Sequence, residues 1–123
     1  MERPEAIRYP ERRSEVVAAV RMLASARESR FALANGPRGD LDYCVHILFD
    51  DTYAISDPLM AVGVILFENE VASLEVLRDV LGPLIDELGD VEDETYLADP
   101  RWSKVEAAAN SAATQMRTNM PPL

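Results

Sequence analysis

The stretch DLDYCVHILFDDTYAI, residues 40–55, decides the fold, because two periodicities compete within it. Tyr43, Val45, Ile47 and Phe49 alternate, and Asp50-Asp51 would turn a hairpin into Thr52–Ile55. Against that, Leu41, Cys44, Val45, Leu48 and Phe49 fall at i, i+3, i+4, i+7 and i+8, one face of a helix. Asp40 stands in front of them as a helix cap. A strand would put Cys44 and Leu48 on the same face as His46, so its alternation is broken. Helix is the favoured reading, giving an all-α bundle of about five helices. A short hairpin at 43–55, giving α+β, is the alternative.

Upstream, Pro10 opens a helix in which Val16, Val20, Leu23 and Ala24 share a face widened by Val17. It is expected to run through Phe31 and stop at Asn35-Gly36. Downstream, Ser56-Asp57-Pro58 is a start signal. The following run, Leu59 to Phe67, reads as a helix apolar on every side and therefore central. In residues 71–88 Leu74, Leu77, Leu81, Leu84 and Leu88 keep a 3-4-3-4 spacing beside Val80 and Ile85. Two heptads are too few for a coiled coil, so this is a core stripe, with Pro83 expected to kink it and Gly89 to end it. Residues 90–99 read as an acidic loop with Tyr96 and Leu97 turned inward. Asp99-Pro100 then starts a last helix carrying Trp102, Val105, Ala109, Ala112, Ala113 and Met116. The chain reads as one helical domain over 1–123, frayed at 1–8 and 118–123.

The composition agrees. In 123 residues, 48% are hydrophobic and 28% charged, which excludes a wholly disordered chain, a collagen or a disulfide scaffold. A chain of this length buries about two-thirds of its unfolded surface and holds a core without staples. Cys44 is the single cysteine and reads as a small core hydrophobe. The first residues lack the apolar segment of a secretory signal, and no apolar run approaches the ~20 residues of a membrane span. The expected location is cytoplasmic.

Charge is placed unevenly. The net charge is −10, but residues 1–39 carry eight Arg against five acids, while residues 40–99 carry Arg78 against sixteen acids. Such a middle repels nucleic acid phosphate and anionic membranes and attracts basic partners.

Several motifs occur together: Leu41-Asp42-x-x-Val45-His46-x-Leu48-Phe49-Asp50-Asp51-Thr52, Asp57-Pro58-x-x-x-Val62-Gly63-x-x-Leu66, Glu70, Tyr96-Leu97-x-x-Pro100-x-Trp102, and Tyr9-Pro10-x-x-Arg13. In combination they resemble a family of small acidic bacterial proteins, common in actinobacteria, without an assigned activity, over residues 9–113. The resemblance implies a compact, mostly helical domain, supports helix at 41–49, and supplies no catalytic residues.

His46, the only histidine, has Asp42 and Asp50 one turn away on either side, with Asp51 adjacent. Imidazole and carboxylates so spaced suit a divalent metal or a general base, although the same spacing is common on solvated helix faces. The acidic loop at 90–94 lacks the glycine and terminal Glu of a calcium loop. No phosphate-binding loop, dinucleotide fingerprint or nucleophile–histidine pattern occurs, so neither a cofactor nor a catalytic residue is assigned. The leading reading is a protein-binding or regulatory module, such as an immunity-type inhibitor, that meets a basic partner through Asp50, Asp51, Glu92, Asp93 and Glu94. The alternative is a metal- or small-ligand-binding protein or hydrolase built on Asp42, His46 and Asp50. A homodimer sharing the 74–88 stripe or the 59–67 segment is a further expectation.

Overall fold

The computed structural model describes residues 7–29, 39–89 and 91–119. It is an all-α bundle: α1 (Pro10–Ser29), α2 (Gly39–Val45), α3 (Val71–Leu88), α4 (Asp93–Ala98) and α5 (Trp102–Thr118). The hairpin alternative at 43–55 is overturned. Helix α2 passes directly into a π-helical turn, His46–Asp51, and the β-type pairing among the described residues is one isolated bridge, Val62 to Leu66. The reason is burial. Leu41, Cys44, Ile47 and Leu48 are all in the core, and only a helical turn places residues with that spacing on one side.

Helices α1 and α5 form the central pair, with α3 packed on α5. The Arg13 guanidinium reaches the Met116 carbonyl at 3.5 Å. At the far end α1 residues near Ser25 line one cleft with Ser103, so the two helices run antiparallel. Close approach follows from small side chains. Ala19 and Ala26 of α1 and Ala108, Ala109 and Ala112 of α5 are buried, with Trp102 and Met116 filling the ends. On α3 the leucine stripe reads as expected, Leu74, Leu77, Leu81 and Leu84 being buried. Pro83 lies on its exposed side within a helix that continues to Leu88. Gly89, at φ 67°, takes the left-handed conformation that ends it.

The segment 59–67 departs from the expected central helix. Pro58–Ala61 is a single 3₁₀ turn, and Gly63 at φ 82° reverses the chain behind it. Ala61, Ile65 and Leu66 are buried, while Leu59 and Met60 are 68% and 73% exposed. A nine-residue apolar run carries no periodicity to say which side faces in, and Gly63 makes the turn cheap. The expected extension of α1 through Phe31 to Gly36 lies outside the described residues, as do 1–6 and 120–123 of the expected frayed ends. The described end residues are tied down. Arg8 and Tyr9 donate to the carbonyls of Gly63 and Val64 at 3.2 and 2.9 Å, and the Asn119 amide donates to Glu70 at 2.8 Å.

Candidate functional site

The candidate surface is built by α2, the π turn and the loop that follows. In the π turn the backbone widens to bonds five residues apart, Thr52 N–H donating to the Ile47 carbonyl at 3.1 Å. The Thr52 hydroxyl donates to that same carbonyl at 2.6 Å and accepts from the Ala54 N–H at 3.2 Å, which closes the turn. The Ile55 N–H then donates to Leu48, and the Ser56 hydroxyl to Phe49, at 3.0 and 2.9 Å. This stitching holds residues 48–57 against the bundle and leaves their polar edge outside. Tyr53 sits there at φ 57°, a left-handed conformation that costs a non-glycine residue about 1 kcal/mol or more, with its ring exposed.

The structure does bring Asp42, His46 and Asp50 together. His46 Nε2 lies 3.6 Å from Asp42 and Nδ1 3.0 Å from Asp50. The two carboxylates therefore flank opposite ring nitrogens and do not converge on one point. Among the described residues no group of three His, Cys, Asp or Glu side chains is placed to hold a metal. All three side chains are more than half exposed, without the exclusion of water that catalytic acid–base pairs exploit. Cys44, deep in the core, directs its thiol to the Ala19 carbonyl at 3.6 Å, a structural position.

The second acidic cluster divides. Glu92 and Glu94 are exposed, whereas Asp93 is 3% exposed. Its carboxylate accepts the Leu41 N–H at 3.4 Å. That bond joins the first turn of α4 to α2 and seats Glu92 and Glu94 beside the Asp42 end of the candidate surface. Tyr96 points inward as expected, its hydroxyl donating to the Gly89 carbonyl. Nearby, Arg101 bridges Asp99 and Glu87 at 2.9 and 2.6 Å. The hydrogen bond from Arg101, joined by its backbone N–H, brings the Asp99 carboxyl down to about 2, and the same guanidinium lowers Glu87.

One charged constellation escaped a reading from residue spacing. Arg13 donates two parallel hydrogen bonds to Glu70, at 2.8 and 2.6 Å, and a third to the Ile65 carbonyl at 3.1 Å. Glu70, fully buried, also accepts the Phe67 N–H at 3.0 Å and the Asn119 amide, while the Phe67 ring stacks 4.8 Å below the guanidinium. Every carboxylate oxygen thus has two donors, which is what a buried charge requires. Arg13 and Glu70 are 57 residues apart, and the available signal was their joint presence among the motifs that carry the family resemblance. The clasp fixes the start of α1, the end of α5 and the entry to α3, and so anchors the loop from the candidate surface.

A family model described as a domain of unknown function, DUF7945, matches residues 7–121. No curated protein and no solved structure matches the chain.

Proposed function

The chain belongs to the DUF7945 family, and we propose that it is a cytoplasmic protein-binding or regulatory module that docks a basic partner protein, in the manner of an immunity-type inhibitor. The observation that carries this reading is the pairing of exposed apolar side chains with acids that, among the described residues, no Lys or Arg neutralises. Leu59, Met60, Tyr53 and Tyr43 are exposed on a segment that also presents Asp42, Asp50, Asp51 and Asp57, and no Lys or Arg occurs between Arg38 and Arg78. Apolar anchors ringed by one sign of charge are the composition of a steered protein interface, where the anchors hold and the charges guide. The same field opposes nucleic acid and anionic lipid. Among the described residues no helix is long and apolar enough to cross a membrane.

The experiment is affinity capture from the native host at about 50 mM and about 500 mM salt, where the screening length differs several-fold. Wild-type protein should retain a basic protein at low salt and release it at high salt. The variants Asp50→Lys/Asp51→Lys and Leu59→Ser/Met60→Ser should each lose it while unfolding at the wild-type temperature. Equal capture by all three proteins would overturn the reading.

A further inference from the structure

We propose that the cleft between α1 and α5 is a binding site for a small organic anion, a molecule presenting a phosphate or carboxylate on an apolar body. The cleft is open to solvent and offers about 690 Å³, within the range of small-molecule sites. Its lining carries two arginines from different helices, Arg21 and Arg117. Of the other arginines whose side chains are described, Arg12, Arg13, Arg78 and Arg101 are each paired with a carboxylate, and exposed Arg8 is not. Arg21 and Arg117 have no ion-pair partner among the described residues, although the protein has a ten-charge excess of acid.

The antiparallel arrangement aims them at each other. Arg13 meeting Met116 places Val17 opposite the turn containing Ala113, and both residues line the cleft. Arg21 lies one turn beyond Val17, and Arg117 one turn beyond Ala113. Helical side chains lean toward the N-terminus of their own helix. The two arginines therefore approach the Val17/Ala113 position from opposite ends. A planar guanidinium matches the paired oxygens of a carboxylate or phosphate, and two of them bracket one such group. Thr114 adds a hydroxyl at that level, and Val17 and Ala113 offer an apolar floor. Glu106, the one carboxylate of the lining among the described residues, lies less than a turn beyond the level of Arg21, toward Ser103, and forms no ion pair with it. The site shares no residue with the acidic surface, so it stands or falls independently of the docking proposal.

Titration of the intact protein with phenyl phosphate, followed by amide chemical shifts, tests the proposal, with inorganic phosphate and phenol as the separate charged and apolar halves. Saturable shifts at residues 17–25 and 106–117 are expected with phenyl phosphate and none with phenol. Arg21→Gln and Arg117→Gln should each weaken binding about tenfold, as loss of a charge-assisted hydrogen bond does. Both variants should keep the wild-type unfolding temperature, since neither arginine supports another element. Shifts that stay linear to about 10 mM phenyl phosphate, or an Arg21→Gln/Arg117→Gln protein that binds like wild type, would overturn the site.

Discussion

Two guanidinium–carboxylate pairs in this molecule have the same shortest distance, 2.6 Å, and opposite surroundings. Arg13 and Glu70 have side chains 10% and 0% exposed, whereas Arg101 and Glu87 are 43% and 65% exposed. Equal geometry does not make them equal in consequence. In the buried pair each charge has lost its water and depends on the other, so deleting one strands its partner. In the exposed pair water and salt replace whatever is removed. Burial thus turns the first pair into an anchor of the fold and leaves the second as a surface ornament of the α3–α5 junction.

The comparison breaks most sharply at Glu70. Glu70→Ala leaves Arg13 buried and unpaired and should cost about 3–5 kcal/mol in urea unfolding. Replacing both partners, Arg13→Met with Glu70→Leu, should recover much of that loss, because the apolar pair carries no desolvation penalty. A double variant no more stable than Glu70→Ala would mean that the bonds to Ile65, Phe67 and Asn119 matter more than the ion pair. Arg101→Ala should change stability far less. Its effect has a pH signature: Asp99, lowered from 3.8 to about 2 by Arg101, contributes stability that is complete above the ordinary carboxylate range and fades as pH falls from about 4 to about 2. Thermal unfolding of Arg101→Ala and wild type should therefore converge toward pH 2. Smallest of all, His46→Ala should leave the unfolding temperature nearly unchanged, because both of its carboxylate contacts are in water.

The docking surface draws a parallel contrast. Buried apolar residues hold the bundle, but Leu59 and Met60 stand outside it and can be exchanged without opening a cavity. The proposed loss of partner capture by Leu59→Ser/Met60→Ser at unchanged stability depends on that difference. Spacing along the chain could not have separated Leu59 from Ile65, since every residue of the run but Gly63 is apolar. It also could not have separated Asp93 from Glu92 and Glu94. One carboxylate of three turns inward and accepts the Leu41 N–H, a donor 52 positions distant.

By itself the sequence determined what local periodicity encodes: the leucine stripe of α3, the helical character of 41–49, the Trp102–Met116 face, and the row of Asp42, His46 and Asp50. These rest on interactions within four residues, so they are written in the spacing. Tertiary structure alone decided which charges are buried, where the apolar 59–67 run turns, and which arginines of α1 and α5 face one cleft. The buried charges and the shared cleft depend on contacts between residues fifty or more positions apart. Their free energy comes from removing both partners from water together, and no local pattern records that.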